Sequence, residues 1–281
     1  MLLISFVMLL PFVLLLGSSL TSNLDITRNG YCFFPREFSI EAYSYIWKER
    51  NQIFRAYFIT ILVTVIGTSV GLLMTLLYGY AISKPEFPGK RFFSFYLFFT
   101  MLFNGGLVPT YIMYTRYLSI KNTLLALIVP SLLLNAFNVI LVRTYIQNNV
   151  PYTLTEAAKI DGAGEGVIFC KIILPLAKPI IATVGLFIGV AYWNDWANGL
   201  YYVTDNKLYS VQQLLNNMMK NIEYLSKNTS SNVNLGATGI AVPAETVRMA
   251  IAVIGILPIL AVFPTVQNYF VKGIAVGAVK G

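Results

Sequence analysis

Apolar runs of about 20 residues recur along this chain with almost no charge inside them, and they exclude most folds. The stretch 57–83 contains no Asp, Glu, Lys or Arg. In hydrocarbon, every backbone N–H and C=O must be paired within the protein, so runs of this length read as helices crossing a bilayer core that needs about 20 residues. A closed barrel would alternate apolar and polar residues over short strands, and these runs do not alternate. The expected class is an all-α polytopic membrane protein with six transmembrane helices. They are expected near residues 1–20, 57–83, 92–115, 123–142, 179–203 and 246–270 of one domain covering 1–281. A polar loop, 143–178, separates the fourth from the fifth, and a long loop, 204–245, follows the fifth.

Composition agrees with that class. Charged residues make up 11% of the chain, against about 25% in soluble domains. The net charge of +8 is spread over loops that flank apolar runs, where Lys and Arg snorkel towards water and set topology. No basic cluster is dense enough for nucleic acid, so membrane lipid is the expected environment. Histidine is absent, which removes imidazole catalysis and the commonest metal ligand. Cys32 and Cys170 fall on opposite faces of the expected topology and read as packing residues, so neither a metal nor a cofactor is expected on this chain. No charged n-region precedes the first run, which reads as a span and not as a signal peptide. Pro11, Pro109, Pro130 and Pro258 lie inside spans, where neighbours can satisfy the freed carbonyls. With both termini inside, the inner loops 84–91, 143–178 and 271–281 carry three, four and two basic residues. The outer segments 21–56, 116–122 and 204–245 carry five, two and three. Per residue the inside is slightly richer, a weak fit to the positive-inside rule.

Segment 37–48 predicts a short surface helix capped by Ser39, and 204–245 predicts a long excursion with one helix near 209–220. The loop 143–178 is more specific. Pro151 opens it, and Thr153 with Glu156 forms the pattern of a capping box. Ala157, Ala158 and Lys159 favour helix. Gly162 suits the left-handed turn that ends one. A second helix is expected from about Glu165 to Ile173, stopping before Pro175. On these grounds alone Glu156 could be no more than a cap.

The full spacing is Glu156-Ala157-Ala158, then three residues ending in Asp161, Gly162, nine residues, and Ile172-x-Leu174-Pro175. It resembles the signature loop of permease subunits of ABC importers, where a coupling helix sits on an ATPase. Two further stretches, 102–111 with Asn104, Gly105, Gly106 and Tyr111, and 192–196, are similar to the sugar-importing branch. The ending Gly273 to Gly281 resembles that branch's terminal motif. The resemblance implies a bacterial cytoplasmic membrane, a homologous second permease and two ATPase subunits that carry ATP and Mg. It also implies an extracytoplasmic sugar-binding protein and an oligosaccharide substrate. Glu156, Ala157, Ala158, Asp161, Gly162, Ile172, Leu174 and Pro175 would then couple to the ATPase, and Gly277, Val279, Lys280 and Gly281 would reach its interface. Relatives of the maltose-importer type often have an additional amino-terminal segment that this sequence does not show, and the Asn/Ser-rich stretch 228–234 does not align readily with that branch.

Asp195 is an ionisable group in or at the edge of a span, and hence a pathway candidate. Trp193 and Trp196 offer flat faces for sugar rings, and Asn194 offers amide donors and acceptors. The alternative for these aromatics is an interfacial belt continued by Tyr201 and Tyr202. Gly105, Gly106 and Pro109 interrupt the third span, either for close packing or as unwound backbone lining a cavity, with Asn104, Tyr111 and Tyr114 nearby. No phosphate-binding loop occurs, so this chain is not expected to be an enzyme, and ATP would be hydrolysed elsewhere. The competing classes are an ATP-independent secondary transporter or channel and, more remotely, an intramembrane enzyme.

Overall fold

The computed structural model of the chain describes residues 2–231, 245–258 and 260. Among them the only β feature is an isolated bridge between Thr21 and Phe38. The helices are α1 (Leu2–Ser19), α2 (Asn23–Asn29), α3 (Glu41–Lys48) and α4 (Arg50–Ser83). There follow α5 (Lys90–Leu102), α6 (Leu107–Ile112), α7 (Leu125–Ile128), α8 (Ala136–Asn149) and α9 (Tyr152–Ile160). Then come α10 (Glu165–Ile168), α11 (Leu174–Leu176), α12 (Lys178–Trp193), α13 (Ala197–Tyr202) and α14 (Val211–Ser231), with residues 245–258 forming α15. Wide π turns extend α6 over Met113–Tyr117 and join α10 to α11 over Phe169–Ile173.

The described residues divide into two units, one made of 2–59, 209–231, 245–258 and 260, the other of 60–208. In the first, Ala42 and Ile46 of α3 and Ala56 of α4 pack with Val211, Leu214, Leu215 and Ile222 of α14 and with Val247, Ala250 and Ile251 of α15. The spacings in α14 and α15 are those of one helix face. Tyr57 donates to the Ile254 carbonyl at 2.7 Å. The surface helix expected over 37–48 begins only at Glu41, and its N-cap, Ile40, makes no side-chain bond. Ser39 instead accepts from the Glu41 N–H at 3.3 Å. The helix expected near 209–220 is longer, because Ser210 caps it and a continuous apolar face carries it past Lys220.

The second unit is organised by α4. With 34 residues it is the one described helix long and apolar enough to cross a membrane unbroken. It stops just before Lys84-Pro85, since a residue preceding proline avoids helical geometry. A Cβ at Gly67 would run into the Tyr192 ring of α12, and one at Gly79 would sit 2.7 Å from Val142 of α8. One at Gly71 would lie 2.9 Å from the Leu133 carbonyl oxygen. These small residues share a face with buried Thr75 and let α8, α12 and the 129–135 segment approach the α4 backbone.

Two more bent helix pairs have the length and composition of spans: α5 with α6 and its extension, bent by 113°, and the α10–α11 run with α12, bent by 84°. The expected span 123–142 is divided. α7 ends at Ile128, Ser131 takes φ +63°, and α8 restarts at Ala136 under an Asn135 cap that accepts from Phe137 and Asn138. Val129 is still helical, and the break follows Pro130, which lacks an N–H and sits before the left-handed Ser131. The freed carbonyls are satisfied from α12 and α13: Tyr192 donates to Ile128 at 2.7 Å and Asn198 to Pro130 at 3.0 Å. Of the expected sixth span, 246–270, the described part belongs to α15; the rest, and Gly277, Val279, Lys280 and Gly281, lie outside the described residues.

Candidate functional site

The polar loop between α8 and α12 is built on two turns whose residues dictate them. Pro151, with φ −59°, is the N-cap of α9, so the helix starts at Tyr152 and Thr153 lies inside it. The expected capping box does not form, and no side chain caps this helix. Proline's fixed φ already suits a helix start, so the hydroxyl has no terminus to close. Glu156 is exposed, as are Ala157 and Asp161, while Ala158 is partly covered. Sequence reasoning passed over two neighbours. Leu154 is 45% exposed and Ile160 87%, an apolar surface on a helix with Thr155 alone buried.

The end of α9 follows expectation. Gly162 takes φ +79°, its N–H bonds Lys159 O at 3.0 Å, and Ala163 N–H bonds Ala158 O at 2.9 Å. This pair of bonds is a Schellman motif, which a residue with a Cβ would strain. The next helix does not stop before Pro175. It runs from Glu165 through the π turn to Leu176, with Pro175 at the start of α11. The wider turn leaves room for the pyrrolidine ring where an α turn would place a carbonyl. Ile172 and Leu174 are half-buried and Pro175 is exposed, whereas Ile168, Phe169 and Ile173 form the buried face.

A cluster of charges joins this loop to the end of α4. Glu165 accepts from the Tyr80 hydroxyl at 2.9 Å and from Lys84, whose ammonium lies 4.1 Å from the centre of the Tyr80 ring. Lys159 of α9 donates to Glu86 at 2.9 Å and lies 3.9 Å from Glu165. Glu86 also accepts from Tyr152. Hydrogen bonds from Tyr152 and Lys159 hold the Glu86 carboxyl below its usual range, and that from Lys84 does the same for Glu165. The bond to Glu86 raises Lys159. Beside the cluster is a cleft of about 420 Å³ lined by Lys84, Lys90, Gln147, Asn149, Tyr152 and Lys159, among others. None of these partners of Glu165 and Lys159 was singled out from the sequence, because they lie 73 to 85 positions away.

The first candidate pathway stretch meets α13, the helix that follows the second. At the break after α5, Asn104 accepts from Gly106 N–H at 2.9 Å, and Gly106 takes φ +86°. A Cβ at Gly105 or Gly106 would meet nothing within 4 Å in this chain, and of the two only Gly106 takes the left-handed φ that favours glycine. Beyond it, Tyr111 stacks on Tyr202 of α13 with centroids 5.8 Å apart, and Tyr114 meets the same ring edge-on. Asp195 sits where α12 gives way to α13, and its Oδ1 accepts from Ala197 and Asn198 N–H at 3.1 and 3.2 Å. It caps α13 and thereby holds Asn198 towards Pro130. Asn194 and Trp196 are exposed, and Trp193 is partly covered.

A family profile described as "Binding-protein-dependent transport system inner membrane component" matches residues 81–276, which include both pathway stretches and the whole α9–α11 loop. The chain belongs to that family. As such an inner-membrane transport component, it is 34% identical over its full length to the Bacillus subtilis "Polygalacturonan/rhamnogalacturonan transport system permease protein YtcP", covering 96% of that protein. It is 35% identical to "Protein LplC" of the same organism, over 97% of this chain and 90% of that one. A crystal structure of "a bacterial ABC transporter involved in the import of the acidic polysaccharide alginate" contains a chain similar to this one. It matches with a TM-score of 0.80 and 29% identity, over 95% of this chain and 92% of the other.

Proposed function

We propose that this chain is a permease subunit of an ATP-driven ABC importer for oligosaccharides in a bacterial cytoplasmic membrane, working with a homologous permease and two ATPase subunits. An extracytoplasmic sugar-binding protein would deliver the substrate. The observation that carries the reading is α9, a short helix with Glu156, Ala157 and Ile160 exposed, held at a fixed angle by Pro151 and the Gly162 turn. Small and apolar side chains there would let α9 sink into a groove of an ATPase subunit, while Glu156 would pair with a basic residue. ATP and Mg would be bound by those subunits, whose closure would move α9 and open the pathway outward; hydrolysis would return it. Each state is a distinct packing of rigid helices biased by a ligand. The break at 103–106, Tyr111, and Trp193 to Trp196 are the candidate pathway surface, and Gly277 to Gly281 would reach the ATPase interface. Of two similar proteins, one is named for polygalacturonan and rhamnogalacturonan transport and the other belongs to an importer of the acidic polysaccharide alginate, which supports an acidic oligosaccharide as cargo.

The test is reconstitution. The permease pair, its ATPases and the binding protein go into liposomes with labelled oligogalacturonides, and neutral malto-oligosaccharides serve as comparison. Uptake that needs ATP and the binding protein, and prefers the acidic sugar, is expected. Uptake without ATP would instead assign the chain to a secondary transporter or channel.

A further inference from the structure

We infer that the loop carrying α9 and the carboxyl end of α4 form one mechanical body, clamped by Glu165 and Lys159, so that displacement of α9 is passed directly to α4. The inference deepens the importer reading above and rests on it.

Four contacts converge on two side chains of the loop. Glu165, at the start of the second loop helix, receives Tyr80 from the last turn of α4 and Lys84 from the position just after it. Lys159, at the end of α9, reaches back to Glu86 and across to Glu165. The loop is therefore held on both sides of the Gly162 turn, by Glu165 to α4 and Lys84 and by Lys159 to Glu86 in the segment that follows α4, so that turn does not act as a free hinge. Packing makes the clamp stiff. Phe169 lies against the Tyr80 ring with centroids 5.4 Å apart, and Ile82 and Ile168 are fully buried. Just above, Gly79 brings the α4 backbone against Val142 of α8, the helix that leads into the loop. Exposed ion pairs are individually weak. Their value here is directional, because each shares a partner with the next and together they fix where α9 points relative to a 34-residue helix.

A loop merely resting near α4 would tolerate loss of these charges. A clamp would not: α9 would still meet the ATPase, but its movement would be absorbed by slack before reaching the spans. Loss of Glu165 should then separate ATP turnover from transport instead of abolishing both.

The experiment uses the reconstituted complex with Cys32 and Cys170 replaced by Ser. Glu165→Gln should lower sugar transported per ATP hydrolysed by about fivefold, the scale of an ion pair at the upper end of the exposed range, with the ATPase rate retained. In a second variant, Lys84→Cys with Glu165→Cys, the ratio should fall likewise. A short bis-methanethiosulfonate bridging the two thiols should restore it, and reductant should abolish the rescue. If the bridge forms and uptake stops until it is cleaved, the two elements separate during the cycle and the inference is overturned. It is equally overturned if the bridge cannot form or if Glu165→Gln keeps the parental ratio. Loss of all ATP-dependent uptake in the Cys-free parent would instead overturn the importer reading, and the clamp with it.

Discussion

The Tyr192 hydroxyl donates to the Ile128 carbonyl at 2.7 Å from a ring that lies against the bare backbone of Gly67. Three segments thus meet at one residue: α4 supplies space, α7 supplies an orphaned carbonyl, and α12 supplies the donor. Irregular backbone in a dry medium survives only where protein groups satisfy it. Tyr192 and Asn198 meet that condition for the interruption between α7 and α8.

Tyr192→Phe should cost about 1–3 kcal/mol, because it leaves a buried carbonyl without a donor. Gly67→Ala should cost about the same by overpacking against a ring that cannot swing aside without losing its bond. Thermal unfolding in detergent checks both. Unchanged stability in Gly67→Ala would mean that the ring has another place to go.

Asp195→Asn should keep α13 intact, since asparagine caps helices as well as aspartate does, whereas Asp195→Ala should cost about 1 kcal/mol. If Asp195→Asn assembles normally but transports slowly, the charge itself serves the pathway. Normal transport leaves Asp195 as a cap. Trp193→Ala should slow uptake with assembly and ATPase rate unchanged if the pathway passes this surface, and should leave uptake unchanged if Trp193 belongs to an interfacial belt.

What the sequence disclosed and what it withheld divide along sequence distance. The apolar run of α4, the Gly162 turn and the helix at Tyr152–Ile160 follow from neighbours within a few positions, and each was readable. The Thr153–Glu156 box was legible as a pattern but does not form, because Pro151 starts the helix first. The break in 123–142 was visible only as Pro130. Its acceptability depends on Tyr192 and Asn198, 64 and 68 residues from the carbonyls they serve. The charge cluster was invisible for the same reason: a lysine after a span reads as an interfacial anchor until its carboxylate partner is located in space.

The cluster also fixes a pH dependence. The folded carboxyls of Glu86 and Glu165 titrate below their usual range. The stability they lend is therefore present above the unfolded value and lost as pH falls through the lowered one. Lys159 titrates above its usual value, so its contribution is present below the unfolded value and lost as pH rises through the raised one. Loop docking should be flat between about pH 5 and pH 10 and loosen outside that window. Spin labels at Ala157 and Pro88, both exposed, report it. Their distance distribution should stay narrow at neutral pH and broaden in acid; broadening near pH 7 would contradict the assignment.

The sharpest test of α9 concerns Glu156 and Gly162. No side chain caps the helix and Glu156 is exposed, so Glu156→Gln removes a charge and little else from the isolated permease. Its amide still accepts hydrogen bonds, but without the charge that strengthens a bond to a basic partner. The variant should insert and assemble normally and transport less sugar per ATP. Gly162→Val acts differently. Nothing lies within 4 Å of a Cβ there, so no clash occurs, but φ +79° places a β-branched residue where L side chains are strained. The penalty is on the order of 1–2 kcal/mol, enough to redirect the turn and misaim α9. Gly162→Asn, which tolerates the left-handed region, should behave nearly as wild type. Uptake and ATP hydrolysis at matched complex content in liposomes separate the cases. Wild-type coupling in Glu156→Gln would remove the ion-pair role. Equal defects in Gly162→Val and Gly162→Asn would show that the turn matters for something other than its backbone angle.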